Sequence, residues 1–111
     1  MCRRRMDGLV IRTGMIGSSE GNGHPFSFSA IINGYAEHAF EKSGWPVILG
    51  YLKKQPPQNF GITDVSVTHA WTQNKEETAN LVAACRIEHL CENVEDMLGE
   101  VDAVIIARDD W

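Results

Sequence analysis

An α/β fold on a parallel sheet is predicted by three features of this 111-residue chain. Apolar, β-branched runs alternate with segments of helical periodicity along the whole length. The run Ala103-Val104-Ile105-Ile106-Ala107 is continuously apolar between charges, as in a parallel strand covered on both faces. The first apolar run ends in a loop of small residues that leads into a helix. Parallel neighbours need helical crossovers, and those crossovers are right-handed, so the pattern predicts a doubly wound parallel sheet with about four strands present.

Residues 9–16 supply Leu9, Val10, Ile11, Met15 and Ile16 and stop at Gly17, which predicts a first strand buried on both faces. Pro25 suits a first helical turn, where its missing N–H costs nothing, and Phe28, Ile31, Ile32, Tyr35 and Ala39 follow at helical spacing. Gly34 weakens that helix by about 1 kcal/mol relative to alanine and predicts a kink or an early end there. Ser43-Gly44-Trp45-Pro46 breaks the pattern, and a short helix over 47–54 runs to Pro56-Pro57. Residues 45–62 thus form an insertion before the second strand, with Trp45, Tyr51 and Phe60 expected to cover a sheet edge or a neighbouring domain.

The second strand is expected over 64–72, with Val65, Val67, His69 and Trp71 on one face and Ser66, Thr68, Ala70 and Thr72 on the other. Asn74 with Glu77 three residues on forms a capping-box pattern, and Thr78, Leu81, Val82 and Cys85 give the helix it starts a buried stripe running to about Arg86. Residues 87–91 predict a short third strand. Asn93 caps a short helix carrying Val94, Met97 and Leu98, and the fourth strand follows. One domain over 9–111, preceded by a disordered tail at 1–8, accounts for the chain.

Composition narrows the function classes. A net charge of −5 and a pI near 5.2 argue against a nucleic-acid surface. The basic cluster Arg3-Arg4-Arg5 falls in the expected tail. No apolar run reaches the roughly 18 residues of a membrane helix, and Asp7 and Gly8 interrupt any signal-like core. Three cysteines without a CxxC pair fit a reducing compartment, so a cytoplasmic protein is expected.

The loop Gly17-Ser18-Ser19-Glu20-Gly21-Asn22-Gly23-His24 has the form of a phosphate-binding turn, where small residues let backbone N–H groups and a helix N-terminus approach an anion. It keeps the first glycine of a Rossmann dinucleotide turn, while Ser19 stands where the second belongs and the third falls near Asn22 or Gly23. Ser18, Ser19 and Asn22 can each hydrogen-bond a phosphate oxygen or a ribose hydroxyl. The Gly-Lys-Ser/Thr ending of a Walker loop is absent, which disfavours triphosphate hydrolysis.

Three stretches resemble the N-terminal cofactor domain of the Gfo/Idh/MocA oxidoreductases, the family of glucose-fructose oxidoreductase and inositol dehydrogenase. They are Gly14-Met15-Ile16-Gly17 with the glycine loop ending in His24, Trp71-Thr72-Gln73-Asn74-Lys75-Glu76, and Asn93-Val94-Glu95-Asp96-Met97-Leu98 before Val101-Asp102-Ala103-Val104-Ile105-Ile106. The resemblance implies a Rossmann-like domain binding NAD or NADP, with Gly17, Ser18, Ser19, Asn22, Gly23 and His24 lining the pyrophosphate turn and Thr72, Gln73 and Arg108 completing the cofactor site. It implies an enzyme that moves a hydride to or from a sugar, polyol or related carbohydrate derivative. Thr72 stands where many relatives carry the acid that holds the adenosine ribose, so NADP is as open as NAD. The family's later strands, Glu-Lys-Pro segment and substrate domain have no counterpart here, so the chain is expected to be a fragment or truncated form that binds carbohydrate only through a missing domain. A half sheet with an open edge also predicts a homo-oligomer. The other open reading is a non-catalytic α/β module serving assembly or regulation through the 45–62 insertion.

Remaining candidates have simpler readings beside them. His24 is either a phosphate or nicotinamide contact or a local hydrogen-bond partner. His69 alternates with apolar residues and reads as a core or interface histidine. Cys85, His89 and Cys91 match no zinc spacing, and Cys85 lies on an apolar helix stripe as an inert thiol. Asp109-Asp110 reads as an acidic turn, and Arg108 pairs either with the cofactor or with those two carboxylates. Trp45, Tyr51 and Trp71 are expected to pack rather than stack on adenine.

Overall fold

A computed structural model describes residues 10–19 and 21–107. The expectations for the 1–8 tail, Leu9, Arg108, Asp109 and Asp110 lie outside the described residues. The sheet has four parallel strands, β1 (Ile11–Ile16), β2 (Val65–Trp71), β3 (His89–Leu90) and β4 (Ala103–Ile106), in the order β3-β2-β1-β4. The α/β Rossmann-like class read from the alternation is the observed one. Between the strands run α1 (His24–Asn33), α2 (Glu37–Glu41), α3 (Pro46–Lys53) and α4 (Lys75–Ala84), with 3-10 turns at Pro57–Asn59 and Val94–Met97.

The helices and the turn at Val94–Met97 cover opposite faces of the sheet. Met15 is fully buried in the cluster with Phe26, Ala30, Phe40, Leu52 and Leu81, whereas a Cβ on the adjacent Gly14 would lie 2.4 Å from Met97 Sδ. Successive strand residues point to opposite faces, so Met15 faces the helices and Gly14 faces Met97. Gly14 therefore lets the short turn lie directly on β1.

Several elements differ from the sequence expectation for identifiable reasons. β1 is buried only from Thr13 onward; Val10 and Ile11, at 44% and 46% exposure, project beyond the helices and are not covered on both faces. Gly34 ends α1 with φ of 82°, and its N–H donates to Ala30 O at 2.8 Å, so Tyr35 and Ala39 belong to a separate turn of chain leading into α2. The inner face of α1 is Pro25, Phe26, Ser29 and Ala30, while Phe28 and Ile31 are 39% exposed. Pro25 lies in the first turn as expected, and Ile32 of the predicted stripe packs on the core, but the face is set by Phe26, whose ring meets Phe40 and Trp45 at centroid distances of 5.8 and 5.9 Å.

β2 does not keep a single alternation. Thr13 pairs with Val67 but the next residue, Gly14, pairs with His69, leaving Thr68 as a bulge. The extra residue exchanges the faces, so Val67 and Ala70 both join the helix-side core, whereas His69 lies opposite Gly14 on the other face. The Asn33 side chain locks this segment. Its Oδ1 accepts from Val67 N–H at 2.8 Å, and its Nδ2 donates to Val67 O at 2.9 Å and Cys85 O at 3.0 Å. This amide stands in for strand pairing alongside β3, which has only two residues rather than the five expected over 87–91.

α4 starts at the expected N-cap, with Glu77 N–H donating to Asn74 Oδ1 at 3.0 Å, but the reciprocal half of the capping box is replaced, the Asn74 N–H donating to Thr72 Oγ1 at 3.2 Å. It ends at Ala84, earlier than Arg86, because Arg86 takes a left-handed conformation with φ of 56°. The Ile87 N–H then returns to Val82 O at 3.1 Å, a Schellman-type closure. Asn93 and Asp96 cap each other's backbone, but the segment is a 3-10 turn rather than an α-helix.

β4 is the largest departure in burial. Strand order places it at the sheet edge, and Val104 and Ile106 are 49% and 50% exposed instead of covered on both faces. Its register on β1 is set at the start by Asp102, whose carboxylate accepts from Arg12 N–H at 2.9 Å and from the guanidinium at 3.3 and 3.2 Å. The hydrogen bonds from Arg12 hold the Asp102 carboxyl below its ordinary range. In the insertion, Trp45 and Phe60 pack on the helix-side core, whereas Tyr51 is exposed.

Candidate functional site

The candidate site lies at the carboxyl ends of the strands, where β1 has β2 on one side and β4 on the other. This is the switch point at which open α/β sheets bind ligands. β1 enters the turn through Gly17, whose φ of 87° only glycine adopts at no steric cost and whose N–H donates to Trp71 O at 2.8 Å. Beside the turn is a cleft of about 390 Å³ lined by Gly21, Asn22, Gly23, His24, Ser27, Trp45, Val47 and Ile48. The 45–62 insertion thus forms one wall of the site. That role was not legible in the sequence; the only trace was Pro46 as a helix start beside Trp45.

The sequence-predicted residues do converge, but mainly on one another. Asn22 is 5% exposed and sits at the centre: Nδ2 donates to Ala107 O at 2.9 Å and to Ser19 Oγ at 3.3 Å, and Oδ1 accepts from His24 N–H at 3.1 Å. One amide therefore bridges the turn to the end of β4 across the switch point. Ser19 O also accepts from Asn22 N–H at 3.1 Å. Gln73 clamps the other side, its Oε1 accepting from Ser18 N–H at 3.1 Å while its Nε2 donates to Ser18 O. Such two-point pairing holds the turn against the exit of β2.

Thr72 is only 4% exposed and belongs to the start of α4. Its hydroxyl donates to Asn74 O at 2.7 Å and lies 2.7 Å from Thr78 Oγ1, and its N–H donates to Thr78 Oγ1 at 3.0 Å. The hydroxyl is turned into the cap and away from the cleft. His24 opens α1 with its ring stacked on Phe28 at 4.9 Å, a contact neither of its two expected roles included, and it lines the cleft. Gly23 is required by close approach, because a Cβ there would stand 2.1 Å from Ile48 Cδ1 and 3.0 Å from Trp45. Arg108 lies outside the described residues.

The donors of the α1 N-terminus are already engaged. His24 N–H is held by Asn22, Pro25 has none, and the N–H groups of Phe26 and Ser27 both donate to Gly23 O at 3.0 Å. An anion at this helix start gains the helix dipole but must displace the Asn22 amide to gain the first N–H.

On the opposite face, His69 and His89 stack across β2 and β3 at 4.5 Å, and Thr68 Oγ1 lies 2.8 Å from His69 Nδ1. Among the described residues no group of three or more His, Cys, Asp or Glu side chains could hold a metal ion. Burial, reinforced by His89 and opposed by Glu100, lowers the His69 pKa from its ordinary 6.5. A histidine held neutral in the fold stabilises it fully above that ordinary value and loses the contribution as pH falls through the lowered one. The stability difference between the wild type and His69→Gln is expected to shrink between about pH 7.5 and about pH 5 in urea titrations. A constant difference over that interval would show that His69 titrates normally. Cys85 and Cys91 are buried free thiols, and burial pushes the Cys85 thiol up to about 12, as befits an inert core group.

No family model, curated protein or solved structure matches this chain. No helix among the described residues is long and apolar enough to cross a membrane.

Proposed function

We propose that this chain is the dinucleotide-binding domain of an NAD(P)-dependent oxidoreductase that acts on a sugar, polyol or related carbohydrate derivative. The observation that supports this reading is the β1-glycine turn-α1 unit at the switch point of an all-parallel sheet, with an open cleft beside it. The fit is partial: the Gly17 turn and the cleft suit a pyrophosphate with one flanking nucleoside, but Asn22 holds the first helical N–H and Thr72 is sealed in the α4 cap. The nicotinamide would supply the hydride chemistry, and the chain would supply binding and orientation. Choice between NAD and NADP falls to the Gln73 side of the site in this reading.

Titrating NADH and NADPH against the protein while following nicotinamide fluorescence tests the proposal. Gly21→Asp sharpens it. Gly21 has φ of 75°, a conformation aspartate tolerates, and a Cβ there meets nothing within 4 Å. The added carboxylate beside the turn should weaken dinucleotide binding by at least about tenfold with the fold retained. Equal affinity in the variant would remove the turn from the site.

A second reading, the non-catalytic assembly module, is favoured by a specific observation. Asn22, Gln73 and Gly23 satisfy the turn internally, while Leu98, Val104 and Ile106 present apolar surface at the β4 edge. Absence of binding by either dinucleotide at about 1 mM, together with a concentration-dependent dimer, would favour it.

A further inference from the structure

A second cleft is remote from the turn. It is a cleft of about 520 Å³ at the amino ends of the strands, formed by the end of α1, α2, the end of α3 and the turn at Pro57–Asn59. Gly61 N–H to Ile31 O at 3.0 Å and Ile62 N–H to Ile32 O at 2.9 Å tie its far wall to α1. Tyr35 and Phe60 line it with rings set edge-on at 5.3 Å. Its charged groups are Lys53, Arg86 and Glu37, a net positive lining in a chain of net charge −5.

Arg86 is the unusual member. It is the one non-glycine residue with positive φ among the described residues, at a position where glycine closes a helix without cost. Left-handed backbone costs an ordinary residue stability, and the favourable placement of a cation at a helix C-terminus offsets only part of that. Its guanidinium makes no hydrogen bond or ion pair among the described residues, whereas Lys53 Nζ is 3.3 Å from Glu37 Oε2. The guanidinium passes beside Gly34, where a Cβ would lie in ordinary contact at 3.7 Å from Arg86 Nη1. Arg86 closes α4 and is exposed, so its backbone is accounted for by the helix end. What its side chain adds is a planar cation without a protein partner among the described residues, beside a cavity with aromatic walls, the placement that suits an oxyanion.

We propose that this cleft binds a small organic oxyanion carrying a flat ring, its carboxylate or phosphate held by the Arg86 fork with Lys53 as second cation, and its ring against Tyr35 and Phe60. The site lies at the end of the sheet opposite the glycine turn and does not depend on what the turn binds.

Phenyl phosphate, benzoate and inorganic phosphate are the probes, followed by amide chemical shifts of the whole chain. Saturable shifts centred on Gly34, Tyr35 and Arg86 are expected. Phenyl phosphate should bind more tightly than inorganic phosphate because of the ring, and its ranking against benzoate separates the two oxyanions. Arg86→Gly is the decisive variant, because strain relief and loss of the cation act in opposite directions. Its melting midpoint should rise while phenyl phosphate affinity falls at least about tenfold. Lys53→Gln, at an exposed helix end, should weaken binding by about threefold and provides the test should Arg86→Gly not fold. Unchanged affinity in either folded variant, shifts confined to other surfaces, or no saturation by any probe would overturn the proposal.

Discussion

Phe40→Ala is expected to lower the unfolding free energy by about 3–5 kcal/mol, seen as a fall of at least about 10 °C in the melting midpoint. Phe40 is fully buried on a helix of only five residues, where its ring meets Phe26 and Tyr35 edge-on at 5.8 Å each. That helix has little stability of its own, since a short segment cannot repay helix nucleation, so the ring is what holds α2 against the others. Truncation leaves a cavity bounded by residues of α1 and the Tyr35 segment, which cannot collapse without moving α1 off β1 and β2. The same ring supports Phe26, the anchor that orients α1 and hence the glycine turn. The variant should therefore also weaken any ligand held at the turn. A loss under about 1 kcal/mol in urea denaturation would mean that the aromatic cluster repacks freely.

Asn22→Ala should cost about 2–3 kcal/mol, the second largest effect, because three backbone or hydroxyl partners lose a buried amide together. Ala107 O and His24 N–H are left without it, and the turn is released from the end of β4. Hydrogen exchange should report the loss locally first, with faster exchange at His24 and Ala107 than in α4, whose contacts do not include Asn22. Asn22→Asp provides the contrast. It retains the acceptor for His24 N–H but loses the donor to Ala107 O and brings a charge into a buried site, so it should be no more stable than alanine there. Uniform exchange across the chain in Asn22→Ala would show that the amide stabilises the whole fold rather than closing the switch point.

The two residues mark where sequence reading succeeds and stops. Asn22 was legible as a member of the turn, because a polar side chain among glycines after an apolar strand has few structural reasons to be there. Its actual partner, Ala107 O, is 85 residues away and carries no signal of its own. Gln73 was likewise legible as a neighbour of the site, yet its pairing with the Ser18 backbone required β1 and β2 to be laid side by side. Phe40 was not distinguished at all, since a single aromatic on a broken helical pattern looks like any other apolar residue. Thr72 was placed at the right strand exit, but its hydroxyl was taken by the cap of α4.

What the amino-acid sequence determined by itself is the order of the four strands, the parallel α/β class, the glycine turn after β1 and the Asn74 cap. These depend on periodicity and on hydrogen bonds spanning a few residues, which any window of the chain contains. Only the tertiary structure decided which face of α1 is buried, that the Thr68 bulge sends Val67 and His69 to opposite faces, that β4 stands exposed at the sheet edge, and that Asn22, Asn33 and Gln73 spend their amides on distant backbone. Those outcomes depend on which groups the fold brings opposite one another, and a buried polar group bonds to whatever partner the packing supplies because leaving it unpaired costs more.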